Sequence, residues 1–203
     1  MDKLKNIRQF PKSTNKKYDI LFTISVIILG LLLGFIAKAT DSISVIGDIG
    51  TDLGVWIFIV SMIASFSSRP LFAIINTPAF LISMLLSYYV YGQVFLGFFP
   101  KSYFIGWLII ALLSPSGGIA VWLSHGSGII ANICAAIPAS ILFACGYPAY
   151  YTHNPIHILN LLFAVLLLII LPKTWKERAI ATGIALIFAM IIVQLQLISY
   201  LPR

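Results

Sequence analysis

The chain has few charged residues, and this scarcity excludes several classes of protein. Asp, Glu, Lys and Arg together make up 9% of the 203 residues, against about 25% in an ordinary soluble domain. So few charges cannot coat a soluble globule whose residues are 60% hydrophobic. The composition excludes a free cytosolic domain, a disordered tail and a disulfide-stabilised scaffold, and it argues against nucleic-acid binding. A mean hydropathy of +1.02 instead indicates an integral membrane protein.

Cysteine is nearly absent, and the common catalytic and metal-binding motifs are missing. Cys134 and Cys145 lie eleven residues apart in one apolar run. On a helix this separates them by about 16 Å, which is too far for a disulfide bond. The serine-hydrolase elbow GxSxG and the zinc motif HExxH do not occur. His153 and His157 have i,i+4 spacing, but Pro155 lies between them and no third ligand is evident. We therefore expect no bound metal and no other cofactor.

Seven apolar segments approach the length of about 20 residues that a membrane-spanning helix needs. No charged residue lies in the middle of any segment, which argues against a proton-driven carrier or a voltage sensor. The predicted fold is an all-α integral membrane bundle of about seven transmembrane helices, or six if the first or the short sixth segment is miscounted. The predicted spans are residues 20–37, 53–66, 71–91, 103–123, 129–147, 156–171 and 179–201.

The positive charges predict the orientation of the bundle. Ten of the 13 Lys and Arg residues fall on one predicted side, six of them in a basic N-terminal arm, residues 1–19. Because Lys and Arg are enriched in cytoplasmic links, the N-terminus is predicted to be cytoplasmic. Residues 20–203 then form a single transmembrane domain. The expected partners are the lipid bilayer and, as a second candidate, another membrane-complex subunit at the basic cytoplasmic face; no nucleic-acid partner is expected.

The opposite, outer side collects acidic and aromatic residues that predict a ligand pocket. Asp48 and Asp52, in the first outer link, are four residues apart and would share a helix face. Carboxylates beside aromatic rings suit a small organic or cationic ligand, with cation–π contacts. The competing interpretation is an ordinary belt of Tyr and Trp at headgroup depth. The candidate ligand-binding residues are Asp41, Asp48, Asp52, Tyr88, Tyr91, Trp107, Asn132, Tyr150, His153 and His157.

Small residues at helical spacing predict where helices pack closely. Gly30 and Gly34 form a GxxxG pattern in the first span, and Ala131, Ala135 and Ala139 recur every four residues in the fifth. Such stripes let helix backbones approach each other. We therefore expect the fifth span at the centre of the bundle, and the sixth, rich in Leu and Ile, against lipid.

A serine and a histidine are adjacent in the link after the fourth span. Ser124 and His125 would need to lie within hydrogen-bonding reach of each other to act as nucleophile and base in an intramembrane hydrolase. Their Gly- and Ser-rich surroundings are also typical of a tight turn between helices. We favour the turn and expect no enzymatic activity, with an intramembrane enzyme as an alternative.

Three short segments carry a resemblance to other proteins. They are LLLG at 31–34, LGFFPKSY at 96–103 and PKT at 172–174. Together they resemble an uncharacterised family of small multi-spanning membrane proteins of Gram-positive bacteria, over nearly the whole chain. The resemblance implies a bacterial plasma-membrane location, but neither an activity nor any catalytic or binding residue.

Two functions fit these observations. The aromatic outer side favours a component that binds or transports a small molecule through an outward-facing pocket. The alternative is an accessory or assembly protein of a membrane complex, which the small-residue stripes fit equally well.

Overall fold

The computed structural model describes Arg8 and residues 16–200, and this part of the chain is helical and has no strand. The predicted all-α fold is therefore confirmed. Most of the predicted arm, and the end of the last predicted span, lie outside the described residues. Single 3₁₀ turns cover Tyr147–Tyr150 and Leu197–Tyr200. The α-helices are α1 (Lys16–Ala39), α2 (Ser44–Thr51), α3 (Leu53–Phe66), α4 (Pro70–Leu96), α5 (Lys101–Leu123), α6 (Ile129–Gly146), α7 (Pro155–Ile170) and α8 (Trp175–Gln194).

Five to six of these segments are long and apolar enough to cross a membrane. They are α1, α4, α5, α6 with the 3₁₀ turn that follows it, and α8; α2 and α3 add a sixth if the pair, bent by 51°, counts as one span. α7 has 16 residues and is therefore about 24 Å long, shorter than the roughly 30 Å hydrocarbon core of a bilayer. The described part thus carries the apolar helices of an α-helical membrane protein.

Helix caps move several boundaries away from their predicted positions. α1 already begins at Lys16, inside the predicted arm. α8 begins at Trp175 because Thr174 and Glu177 form a capping box. Thr174 Oγ1 accepts a hydrogen bond from the Glu177 N–H at 3.3 Å, and Glu177 Oε2 accepts one from the Thr174 N–H at 3.1 Å. At its other end α8 stops at Gln194, two residues before Gln196, which has a left-handed φ of 50°.

The predicted first outer link contains a helix, α2, and this changes the relation of its aspartates. Asp48 lies within α2, whereas Asp52 follows it in extended backbone with a ψ of 131°. From there Asp52 caps α3, because its Oδ1 accepts hydrogen bonds from the N–H groups of Gly54 at 2.8 Å and Val55 at 3.2 Å. The prediction that Asp48 and Asp52 share a helix face is therefore wrong.

Two glycines let α1 pack directly on the backbone of α4. A Cβ atom at Gly30 would lie 2.7 Å from the carbonyl oxygen of Phe80, and one at Gly34 would overlap the carbonyl oxygen of Met84. Only glycine permits so close an approach. The contact predicted from the GxxxG pattern is confirmed.

The alanine stripe of α6 is buried in the core, as predicted. Ala131, Ala135 and Ala139 are nearly inaccessible to solvent, and α6 is the most buried of the candidate spans. α6 packs chiefly against α8 and α7. One face of α7, with Asn160 and Leu167, is buried, while its other apolar side chains are exposed. The central position of α6 and the exposed face of α7 thus agree with the sequence prediction.

The links between helices gather at two opposite ends of the bundle. Lys38, Phe98, Asn154 and Ile198, from four different links or helix ends, line one cavity at what we call the mouth end. At the other, basic end, the Ser67 carbonyl accepts a hydrogen bond from Trp122 at the end of α5. Successive long helices therefore run between the two ends in alternating directions.

Candidate ligand-binding cavity

A polar cavity of about 570 Å³ occupies the mouth end. Its walls come from the end of α1, the break between α2 and α3, the end of α4, the start of α5 and the start of α7. We call it the mouth. The residues that give it its chemistry are Lys38, Asp48, Thr51, Asp52, Tyr88, Tyr89, Tyr103, Trp107 and Asn154.

Lys38 lies over an aromatic ring in the mouth and is neutralised by an aspartate. Its Nζ is 2.6 Å from Asp41 Oδ2, 3.4 Å from the Tyr88 hydroxyl and 4.9 Å from the centre of the Tyr88 ring. Asp48 and Asp52 form no salt bridge with any residue of the described part. With one Lys against three Asp, the mouth is acidic.

The mouth borders α7 at the buried side-chain amide of Asn160. Asn160 is fully buried, and its side-chain oxygen lies where a Cβ atom of Gly54 would be. The same Cβ position is 3.0 Å from Asp52 Oδ1, so the amide and the carboxylate both lie against Gly54. The His157 ring is close enough to Asp52 for an electrostatic interaction. Nδ1 of His157 lies 3.1 Å from the Cys145 carbonyl oxygen, which fixes the ring against α6. Asp52 is therefore fixed by the two hydrogen bonds with which it caps α3, beside the buried Asn160 of α7.

A second cavity of about 520 Å³, which we call the chamber, extends into the bundle among α3, α4, α5 and α6. Nearly all of its lining is apolar. From Trp107 to Val121, both in its wall, α5 advances about 21 Å. The larger apolar side chains of its wall are Trp56, Leu81, Met84, Leu85, Trp107, Ile110, Leu113, Ile137 and Ile141.

The mouth and the chamber adjoin, because the same residues line both. These shared residues are Thr51, Leu53, Tyr88, Tyr89 and Trp107. Tyr89 is held edge-on by Phe99 and Phe104, with ring centres 5.6 and 5.2 Å away. The result is a pair of adjacent cavities that share one wall, the mouth acidic and aromatic and the chamber apolar.

Of the ten predicted site residues, four line the cavities and a fifth lies beside the mouth. Asp48, Asp52, Tyr88 and Trp107 line the mouth, and Trp107 and Tyr88 also line the chamber. Asp41 lies beside the mouth through its pairing with Lys38.

The other five predicted residues do not line the cavity. Tyr91 packs edge-on against Phe35 of α1 and is not among the residues that line the mouth. Asn132 is buried near the start of α6, at the basic end. Tyr150 and His153 are exposed beyond the end of α6. His157 approaches Asp52 from behind the mouth instead of facing into it.

Several residues that line the cavities were not predicted as site residues. Lys38, Tyr103 and Asn154 line the mouth. Their positions at the outer ends of predicted spans are the sequence feature from which they could have been predicted. The chamber residues Trp56 and Met84 carried no signal, because an apolar side chain in an apolar span looks the same whether it lines a cavity, a core or lipid.

At the basic end a polar network ties α1, α4 and α5 together. Asn76 accepts a hydrogen bond from Thr23 at 2.7 Å and donates one to Ser67 Oγ at 3.1 Å. The Trp122 indole N–H donates to the Ser67 carbonyl at 3.0 Å. Ser68 donates to the buried Asp19 carboxylate. Asn76 thus hydrogen-bonds to side chains of two other chain segments, as polar residues between apolar helices commonly do.

Arg8 covers the Trp122 end of this network. Its guanidinium lies 4.2 Å from the centre of the Trp122 ring and donates to the Trp122 carbonyl at 2.6 Å. Burial lowers the pKa of Arg8 to about 10, so the side chain is still a cation at neutral pH. Burial, reinforced by the positive charges of Arg8 and Lys173, lowers the pKa of His125 to about 4 and keeps the ring neutral.

Ser124 and His125 do not form a nucleophile–base pair. The Ser124 hydroxyl is buried and donates to the Val121 carbonyl of its own helix at 2.6 Å. His125 Nδ1 is buried and has no hydrogen-bond partner among the residues that the structure describes. The segment connects α5 and α6 as the predicted turn, with Gly128 at a φ of 91°.

Comparison with other proteins adds no assignment. No protein-family model matches the chain, and no curated protein or solved structure matches it either. The resemblance to a family of Gram-positive membrane proteins therefore remains a prediction.

Proposed function

We propose that the protein is a multi-pass membrane protein that binds a small amphipathic molecule with a positively charged head. The observation that carries the proposal is the adjoining pair of cavities, one acidic and aromatic, the other apolar. Their volumes fall within the range of about 300–1,000 Å³ that is typical of ligand pockets. The head would lie in the mouth and the apolar part in the chamber.

The charges and rings of the mouth favour a cation over an anion. Lys38 is already paired with Asp41, so it is not free to bind an anionic group. Asp48 and Asp52 supply carboxylate acceptors, and the Tyr88 ring already carries one ammonium group on its face. A second cation could bind between the carboxylates and the rings of Tyr103 and Trp107.

Three probes with one tail and different heads test this proposal. Octylamine, octanol and octanoate are titrated into protein in neutral detergent, and binding is followed by native mass spectrometry and by tryptophan fluorescence, since Trp56 and Trp107 line the chamber. We expect octylamine to bind most tightly and octanoate most weakly. Equal binding of all three, or a preference for octanoate, would contradict the proposed head.

Variants of the mouth locate the probe. Asp48→Asn and Trp107→Leu should weaken octylamine binding by about 2- to 30-fold, the range expected for a lost cation contact of about 0.5–2 kcal/mol. Tyr150→Leu is the matched control, because Tyr150 is 80% exposed and outside both cavities. An equal effect of Tyr150→Leu would place binding elsewhere on the surface.

The proposed membrane arrangement has seven crossings, with α2 and α3 as one bent crossing and α7 as a short one. Its support is the alternation of links between the mouth end and the basic end. The basic end carries Arg69, Lys173, Lys176 and Arg178, which favours a cytoplasmic N-terminus in a bacterial plasma membrane. The mouth then opens to the outside. The bilayer is one partner, and an acidic subunit of a membrane complex at the basic end is the second candidate.

A further inference from the structure

We propose that the ligand is a membrane lipid with an amine-bearing headgroup, and that its tail enters the chamber sideways from the bilayer through a gap between α5 and α6. This inference rests on the proposed function, because it names the source and class of the same ligand. The gap is the feature that distinguishes a lipid from a ligand that arrives through water.

The chamber wall reaches the outer surface of the bundle between these two helices. Leu113 on α5 lines the chamber and is 67% exposed, and Ile137 on α6 lines it and is 38% exposed. Ser116 and Gly117 line the chamber and are also exposed. Leu113, Ser116, Gly117 and Ala120 follow i, i+3, i+4, i+7 spacing, so they form one stripe along α5.

α5 and α6 contact each other less than each contacts its principal neighbours. α5 packs chiefly on α4, and α6 packs chiefly on α7 and α8. A Cβ atom at Gly117 would meet no atom of residues 16–200 or Arg8 within 4 Å, whereas one at the adjacent Gly118 would meet the Ala73 carbonyl oxygen at 2.7 Å. α5 thus presses against α4 on the Gly118 side and is open on the Gly117 side.

The backbone carbonyl oxygens of α5 at the gap accept hydrogen bonds from side chains of α5 itself, not from α6. Pro115 has no N–H to donate to the Ala111 carbonyl oxygen, which would be its helical acceptor. The Ser114 hydroxyl donates to that oxygen at 2.6 Å instead, and Ser116 donates to the Leu113 carbonyl oxygen at 2.8 Å. The stripe therefore presents no unpaired carbonyl at these positions, which suits contact with a hydrocarbon tail.

The dimensions match a lipid lying with its head outward. The chamber extends about 21 Å along α5 from the mouth. This length covers one leaflet and part of the next in a hydrocarbon core of roughly 30 Å. The headgroup would meet Asp48, Tyr103 and Trp107 in the mouth. The acidic mouth selects an amine-bearing headgroup such as phosphatidylethanolamine over phosphatidylglycerol.

The experiment narrows the gap and leaves the mouth intact. Gly117→Leu, with Ser116→Leu as a second variant, places a bulky side chain in the gap. Gly183→Leu is the matched control, because Gly183 is exposed on α8 and a Cβ there also meets nothing within 4 Å. Each protein is reconstituted in nanodiscs of phosphatidylethanolamine and phosphatidylglycerol, and the phospholipid that each retains after extraction is measured by native mass spectrometry. Octylamine binding is measured in parallel, since Gly117 lies about 15 Å along α5 from Trp107 and leaves the mouth open to a short tail.

We expect the unmodified protein and Gly183→Leu to retain phosphatidylethanolamine. The gap variants should retain about tenfold less and still bind octylamine. Unchanged lipid retention in both gap variants would overturn sideways entry, even with octylamine bound. A preference for phosphatidylglycerol would overturn the headgroup assignment, and failure of the unmodified protein to bind octylamine would overturn the proposed function itself.

Discussion

His125 is a histidine that cannot easily take up a proton where the fold places it. It lies in the turn between α5 and α6, near the positive charges of Arg8 and Lys173. Its Nδ1 is buried, and no residue of the described part forms a hydrogen bond with it. The pKa of about 4 in the folded protein compares with 6.5 for an ordinary histidine.

This difference predicts a loss of stability in mild acid. Between pH 6.5 and about 4 the unfolded chain binds a proton on His125 that the folded protein does not bind. Unfolding is therefore favoured as the pH falls through this window, and the stabilisation is fully present above pH 6.5. We expect the Tm in neutral detergent to fall between pH 7 and pH 5, and His125→Gln to flatten this dependence.

The control for this prediction is His153→Gln, because His153 is exposed beyond α6. It should leave the dependence of Tm on pH unchanged. If His125→Gln and the unmodified protein lost equal stability over the window, the effect would have to come from another group.

Single residues show how far the sequence could predict the site. Asp48, Tyr88 and Trp107 were predictable, because charged and aromatic side chains near span ends stand out from an apolar background. Asp52 was predictable as a mouth residue but not as a helix cap, since its role depends on α2 ending one residue before it. Lys38 was visible in the sequence, but its position over Tyr88 depends on how α1 packs against α4.

At the scale of helices, Gly34 is the described glycine whose Cβ position comes nearest to the backbone of another helix, and it joins α1 to α4. A Cβ atom there would overlap the Met84 carbonyl oxygen, and backbone cannot give way as a flexible side chain can. Gly34→Ala should therefore separate the two helices and lower the free energy of unfolding by about 1–3 kcal/mol, in the range of overpacking. Thermal unfolding in detergent measures the change.

Gly183→Ala is the comparison for Gly34→Ala. A Cβ at Gly183 meets nothing within 4 Å, so only helix propensity changes, and alanine is favoured by about 1 kcal/mol. The two substitutions are chemically identical, and we expect them to shift Tm in opposite directions. A fall of equal size in both would show that the α1–α4 contact is not the cause.

The packing faces of the helices were more predictable than the residues at which the helices begin and end. Periodic small residues indicated the packing faces of α1 and α6, because close approach needs those residue types. The start of α8 was misplaced, since Lys176, Glu177 and Arg178 looked like a link although they form the first turn after the Thr174 cap. α2 was missed because eight residues with two glycines carry little helical signal.

For the whole molecule, the number of crossings depends on α7. Cysteine labelling decides it: Cys134 and Cys145 are replaced by Ala, and a single Cys is then placed at Lys101, Tyr150 or Lys173 in turn. With seven crossings, a membrane-impermeant maleimide should label positions 101 and 150 from one side and position 173 from the other. Labelling of 150 and 173 from the same side would show that α7 enters and leaves by the mouth end, and labelling after membrane disruption confirms that each site is reactive.

The mouth is formed by segments from the whole length of the chain. Half of the predicted site residues miss it for this reason. It forms where the end of α1, the α2–α3 break, the end of α4, the starts of α5 and α7, and the 3₁₀ turn with Ile198 meet. Sequence proximity to a span end places a residue at the correct depth. It does not tell which way around the bundle the residue faces, and Tyr91 and Tyr150 miss the cavity for this reason.

In the proposed arrangement of seven crossings, the length of α7 has a consequence for the surrounding bilayer. As a crossing, its 16 residues cover about 24 Å, so they fall short of the roughly 30 Å hydrocarbon core by about 6 Å. One face of α7 is exposed, with Leu162 and Val165 directed outward. Hydrophobic mismatch on that flank is relieved when the adjacent bilayer thins. The protein should therefore gather shorter-chain lipids beside α7 and partition into the thinner regions of a mixed membrane.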